Sequence, residues 1–324
     1  MPIITDPEII SRWNSYYGQK QVNAFQYLNK SGISAVIRVN YLKTTDDELI
    51  PKLLSKGIQV EKLPLAGSYK IIKQRISIGA THEYLLGHYS IQGLASQYVS
   101  HIVNPAETDK ILDMSAAPGG KTAHLATLMN NKGLIISIDP SKQRMTALRS
   151  NLSRLSVFNV IAYQDDANEI TPKLGTFDKV MLDAPCSGSG SICKRPTKEW
   201  SKKVTDIIRL AQKQSSLLHT GLHCLKVGGE MTFSTCSIDP EEGEEQIISL
   251  LSFYGSKISI MPIPETKNLF ESVTVDYTSS NHQFHSQNKN KWLRIIPKKD
   301  YEGFFICKIK KLVEFNNKHE EVQP

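Results

Sequence analysis

The chain has 324 residues, 40% hydrophobic and 22% charged, which is ordinary globular composition with material for one large core or two smaller ones; two domains are expected. A formal charge of +7 and a pI near 9.0 favour a polyanionic partner. No apolar run reaches the roughly 20 residues of a membrane span, the start MPIITDPEII lacks the pattern of a signal peptide, and five cysteines without a C-x-x-C pair argue against a disulfide framework or zinc ribbon, so a cytoplasmic protein with no membrane partner is expected.

Residues 1 to about 30 read as a helical lead-in, with Ile9, Ile10, Trp13, Tyr16 and Tyr17 at near-helical spacing before Gly18. A strand-like run follows at Ala35–Val39. Thr44 or Thr45 then caps a helix through Leu49, Ile50, Leu53 and Leu54 that stops at Gly57, and strands are expected at Ile58–Val60 and within Tyr69–Ile78. Residues 1–86 are therefore expected to hold the lead-in and a small α/β unit. The texture changes at Gly87. His88 to Val103 reads as a strand entering a helix, and strands and helices then alternate: Ile111–Met114, helix, Leu134–Ile138, helix, Val160–Tyr163, Lys179–Leu182, a helix from about Ser201, Glu230–Phe233, a helix from about Glu241, and Gly303–Ile309. Alternation over short loops predicts a doubly wound parallel sheet of the α/β class across 87–313, with a polar tail at 314–324.

The rest is organised around ILDMSAAPGGKTAHLATLM, Ile111 to Met129. It reads as a strand, a turn at Pro118-Gly119-Gly120, and a helix restarting through Ala123, Leu125, Ala126 and Met129. At the carboxyl end of a parallel strand such a turn faces a ligand, and its free N–H groups favour a carboxylate or phosphate. Gly120-Lys121-Thr122 resembles the end of a P-loop, but the position that spacing requires to be glycine is Ser115, and adjacent Gly119 and Gly120 do not fit a dinucleotide fingerprint. A nucleotide-like ligand with a small anionic group remains. Acids close the next strands: Asp139 in LIISID, about twenty residues after the turn and placed to bind ribose hydroxyls, Asp166 in YQDDAN, and Asp183 in VMLD.

Two cysteines fall at this same edge, Cys186 in DAPCSGSG and Cys236 in STCS. Neighbouring parallel strands lie about 4.8 Å apart, so adjacent loops can bring both thiols into one pocket. Cys224 and Cys307 read as small core residues, and Cys193 lies in a basic loop. Between Lys194 and Lys213 seven basic residues (Lys194, Arg195, Lys198, Lys202, Lys203, Arg209, Lys213) stand against Glu199 and Asp206, a local positive patch. His282 and His285 lack partner cysteines at ligand spacing, so no metal is expected.

DMSAAPGGKT, LDAPCSGSG and FSTCSIDPEE, with YSIQGLASQYV before them and RIIP and GFFICKIKK after, closely resemble the Sun/RsmB (NSUN-like) family of S-adenosylmethionine-dependent RNA cytosine-C5 methyltransferases, over about residues 33–311. The resemblance implies a Rossmann-like class I methyltransferase sheet with a small RRM-like RNA-binding unit in front. It implies that Ser115, Ala116, Ala117, Pro118, Gly119, Gly120 and Lys121 hold the methionine end and ribose of S-adenosyl-L-methionine, Asp139 the ribose hydroxyls, Asp166 the adenine side, with Arg144 in support. Cys236 would be the nucleophile, Cys186 its partner in product release, and Asp183 the acid on the cytosine ring, also at the edge of the cofactor site. Two positions depart from the family pattern: Ser115, where many members carry Cys, and Pro297-Lys298-Lys299-Asp300, in place of a commoner Pro-His start.

The chemistry explains the residue types. Cytosine C5 becomes nucleophilic once a thiolate adds at C6. A thiol with a pKa of about 8.5 needs positive field to ionise at neutral pH, and Lys121 and the cofactor's own sulfonium are the candidates to supply it. RNA is the expected partner, tRNA first because the chain is short, with rRNA as the alternative substrate and a monomer as the expected state. An RNA-binding or assembly protein that keeps the fold without catalysis is the competing reading. A third is a methyltransferase acting on DNA or on a nitrogen atom, of which nitrogen methylation needs no thiol pair.

Overall fold

A computed structural model describes residues 6–194, 196, 200–264, 269–270 and 291–315. Two helices lead the chain. Asp6 caps α1 (Pro7–Tyr17) by accepting from the Glu8 and Ile9 amides, and Gly18 at φ +78° turns the chain directly into α2 (Gln19–Ser31). The lead-in packs on the large domain, not on the small α/β unit that follows it. Ile9, Trp13, Val22 and Phe25 are buried against Ile192, Ile207, Ile238 and Ile296.

The small unit is a four-stranded antiparallel sheet of β1 (Val36–Val39), β2 (Gln59–Lys62), β3 (Ser68–Lys73) and β4 (Tyr89–Ile91), in the order β2-β3-β1-β4. Thr45 caps α3 (Asp46–Ser55) by accepting from Glu48 N, and Leu49 and Leu53 bury the helix on Ile37, Val39, Tyr69 and Tyr89. Within Tyr69–Ile78 there is one strand, then a 3-10 turn from Ile78 and the short α4 (His82–Leu85). Through β4 the small sheet continues past the boundary expected at residue 86 before the chain enters α5 (Leu94–Val103).

The large domain then alternates: β5 (Lys110–Asp113), α6 (Gly120–Leu128), β6 (Leu134–Ile138), α7 (Lys142–Arg154), β7 (Val160–Tyr163), α8 (Ala167–Ile170), β8 (Phe177–Asp183), α9 (Val204–His223), β9 (Leu225–Thr235), α10 (Glu244–Tyr254), β10 (Ile258–Met261), β11 (Trp292–Ile295) and β12 (Phe304–Lys311). The sheet order is β10-β12-β9-β8-β5-β6-β7, with β11 also paired to β12. From β5 to β9 neighbours are parallel, whereas β12 runs antiparallel to β9, β10 and β11. Successive residues on a strand face opposite sides, so Ile111 and Ile135 join the layer under α5, α6 and α7 while Leu112 and Ile136 join the layer under α9 and α10. Strand order reverses between β5 and β8, and the crevice beyond their carboxyl ends is where such sheets bind ligands. Among the described residues no helix is long and apolar enough to cross a membrane.

Candidate active site

The turn after β5 forms one wall of that crevice. Gly119 sits at φ +97°, a left-handed conformation that side chains disfavour, and a Cβ there would lie 2.7 Å from Leu148 Cδ1. A Cβ on Gly120 would meet nothing within 4 Å, so the space over the first residue of α6 is open to a ligand. Asp139 ties the turn to β6: its carboxylate accepts from Ala117 N at 3.3 Å and Ser141 N at 3.0 Å. Arg144 lies 3.2 Å from Asp139 and donates to the Ala117 carbonyl. Asp166 caps α8 through Asn168 N at 2.9 Å. Ser115, Asp139, Arg144, Asp166 and Asp183 all line one cavity of about 370 Å³ that ends at Cys186 and Cys236. Ser115 to Pro118, Gly120 and Lys121 also face a neighbouring cavity of about 400 Å³.

The other wall comes from the loops after β8 and β9. Both cysteines stand there with Sγ atoms 3.2 Å apart. Lys121, from α6, reaches across to Asp183 at 2.7 Å and lies 5.3 Å from the Phe304 ring centre, while Ser234 Oγ donates to the other Asp183 oxygen at 2.8 Å. The contact with Cys186 lowers the Cys236 pKa against the cost of burial, helped by Lys121; the same contact, together with burial, raises Cys186. One sulfur is thus set to ionise while the other keeps its proton.

Several supporting groups were not singled out from sequence. Glu242, buried and with its pKa raised by burial, accepts from Ser187 N at 2.8 Å and Gln214 Nε2 at 3.1 Å, fixing the loop that carries Cys186. Buried Arg294 pairs with Glu244 and donates to the Ser237 carbonyl, fixing the loop that carries Cys236. The acids of DPEE were visible as a run beside Cys236. Their partners lie too far along the chain for spacing to show them.

The basic stretch divides. Lys194 pairs with buried Glu302 at 2.7 Å, Arg209 with Asp206, and Lys213 lines the cavity below Asp183. Trp200, Lys202 and Phe304 line an open cleft of about 700 Å³ that reaches Cys236. Arg195, Lys198 and Glu199 lie outside the described residues, as do His282 and His285. Among the described residues no cluster of three or more His, Cys, Asp or Glu could hold a metal ion.

Comparison with known proteins fits this site. The chain matches the family described as 16S rRNA methyltransferase RsmB/F over residues 100–310. It is 34% identical to a human 28S rRNA (cytosine(4447)-C(5))-methyltransferase over 281 residues, 85% of this chain and 34% of that protein. It is 32% identical to the probable ribosomal RNA small subunit methyltransferase B of Bacillus subtilis, covering 94% of this chain and 65% of the relative. These curated relatives are longer, and the chain spans between about a third and two thirds of their length. A solved methyltransferase homologue from Pyrococcus horikoshii superposes with a TM-score of 0.82 at 31% identity, over 96% of both chains. With the sheet order and the paired cysteines in place, the chain belongs to the RsmB/F family of methyltransferases.

Proposed function

We propose that the protein methylates C5 of cytosine in RNA, with S-adenosylmethionine as donor and Cys236 as the covalent nucleophile. The observation that carries this reading is the 3.2 Å approach of Cys186 and Cys236 beside the Lys121–Asp183 pair, at the end of a cavity lined by the acids of successive strands. The two adjoining cavities suit the cofactor: Asp139 and Asp166 in one would hold its nucleoside, and the open backbone at Gly120 with Lys121 in the other would hold its carboxylate. When bound, S-adenosylmethionine supplies an electrophilic methyl group.

This chain's residues would do the rest. The Cys236 thiolate forms a bond to C6, and the ring electrons move to C5. Asp183 accepts from the exocyclic amine, and the Lys121 ammonium balances charge building on the ring. Once C5 carries the methyl group its proton leaves to a water that Cys186 orients, the C5–C6 double bond re-forms, and the S–C6 bond breaks to return the thiolate. The target base must first leave its stack, at a cost of about a few kcal/mol, and the cleft holding Trp200 and Lys202 offers a ring for stacking and a cation for phosphate.

Transfer RNA, the substrate expected from the sequence, is one reading. Ribosomal RNA is the second reading, and the names of the relatives favour it. Labelled methyl groups offered with unmodified tRNA, rRNA and DNA, followed by nucleoside analysis, test both. Label in 5-methylcytidine from one RNA class is expected. Label only in DNA, on a nitrogen, or nowhere despite cofactor binding overturns the proposal.

A further inference from the structure

Helix α1 precedes the family match, yet three of its side chains reach the turn that follows Cys236. Trp13, buried, donates from Nε1 to Asp239 Oδ1 at 2.8 Å; Tyr17 donates to the Ile238 carbonyl; Arg12 pairs with Glu241. Asp239 is itself buried, and its second oxygen accepts from Ser189 Oγ at 2.6 Å and Ser237 Oγ at 3.2 Å. Ser189 belongs to the loop after Cys186, and Ser237 is the residue after Cys236. One carboxylate therefore joins both cysteine loops. Further links run the same way: Ser189 Oγ accepts from Ile238 N at 3.0 Å, and Gly190 N donates to the Cys236 carbonyl at 3.0 Å. Trp13 also lies 5.8 Å from the Trp200 ring, whose Nε1 donates at 3.0 Å to the carbonyl of Ser187, next to Cys186.

We propose that Trp13 is a positioning residue for the thiol pair, acting through Asp239, a role that rests on Cys236 being the nucleophile. Ile9, Val22 and Phe25 also bury the lead-in helices, and a phenyl ring at position 13 would keep an aromatic side chain among them. What the indole adds is the hydrogen bond that completes one oxygen of a buried carboxylate. Without it the carboxylate is left short of a donor, a state that costs more than an ordinary hydrogen bond gains, and it relieves this by turning on the two serines that set the cysteine loops. Misplacing a reacting atom by about 1 Å costs up to about 100-fold in rate, so a small turn is enough to register.

The test compares Trp13→Phe, which removes the Nε1 donor and keeps an aromatic ring in the cluster, with Phe25→Leu, which loosens the same apolar cluster without touching Asp239. Two quantities are read in the full-length protein. One is kcat on RNA with the KM for S-adenosylmethionine; the other is the iodoacetamide alkylation rate of Cys236 relative to Cys186, by peptide mass spectrometry without RNA or cofactor. Trp13→Phe is expected to lower kcat about tenfold, to leave the cofactor KM within about twofold, and to change the alkylation ratio. Phe25→Leu is expected to lower Tm while leaving kcat and the ratio close to those of the parent. Asp239→Asn approaches the same link from the other end and is expected to lower kcat at unchanged cofactor KM. Parent-like kcat and alkylation ratio in Trp13→Phe overturn the proposal, as does an equal change in both by Phe25→Leu. If the parent methylates no RNA, the proposed function falls, while the alkylation ratio still decides the role of Trp13.

Discussion

The Gly-turn wall of the site and the cysteine wall are assembled over different distances along the chain. Thr122 to Asp113, Ala117 to Asp139 and Arg144 to Ala117 are contacts between residues 9, 22 and 27 apart. On the cysteine wall, the sulfur pair and Arg294–Glu244 each join residues 50 apart, and Trp13 reaches Asp239 across 226. The turn wall is fixed by one strand–turn–helix unit and its neighbour, whose geometry forms locally. The cysteine wall exists only once β8, β9, β11 and α1 have met, so its geometry depends on the whole fold. A glycine turn can be local, whereas the pairing of the two thiols here requires convergence.

The largest break in this comparison comes from the thiols themselves. Cys236→Ala is expected to abolish methylation while leaving the dissociation constant for S-adenosylmethionine within about twofold, because the turn wall does not depend on the sulfur. Cys186→Ala should instead accumulate a protein–RNA adduct that survives denaturing electrophoresis, and the double variant should show none. Turnover by the Cys236 variant, or an adduct in the double variant, would reassign the roles.

Two arginines sharpen the contrast on stability. Arg294 and Glu244 are both buried, so Arg294→Leu strands a buried carboxylate and is expected to cost about 3–5 kcal/mol in urea unfolding. Arg144 also pairs with a buried acid, but its own side chain is 52% exposed and Asp139 keeps two backbone donors. Arg144→Leu should cost about 0–1 kcal/mol and show itself in weaker cofactor binding instead. Equal losses in the two variants would mean that the walls are not anchored differently.

Legibility in the sequence follows the same division. The strand, glycine turn and helix from Ile111 could be read because every cue lies within about twenty residues, and Asp139 followed from the spacing of βαβ units. Cys186 and Cys236 could be read as partners because both follow strands whose carboxyl ends share an edge. What spacing cannot encode is which surface receives an amphipathic face. The lead-in helices were visible as helices, but their docking on Ile192, Ile207 and Ile238 was not. Nor does alternation of strands and helices give strand direction, so β12 as an antiparallel member was not evident, and β10 and β11 were not read as strands. Asp166 was expected on the cofactor side, and it lines that cavity while also capping α8, a local use of Asp that its position after β7 equally suits.

A pH-dependent effect lies at the foot of the turn wall. Asp113 is buried, takes a 2.7 Å hydrogen bond from Thr122 Oγ1, and has its pKa pushed up to about 7, first by burial and further by Asp183 nearby, while Thr122 and Lys121 oppose the rise. In the unfolded chain the same carboxyl ionises near 3.8. Between those values the folded protein retains a proton that the unfolded chain has released, so stability falls as pH rises through the window and levels off above about 7. Asp113→Asn keeps an oxygen for Thr122 and carries no charge. At pH 8 the variant should therefore unfold a few degrees above the parent, worth about 1–3 kcal/mol. Near pH 4, where the parent's carboxyl is already neutral in the fold, the advantage should vanish. A difference in Tm of the same size at both pH values would assign the effect to packing around Thr122 rather than to a buried charge.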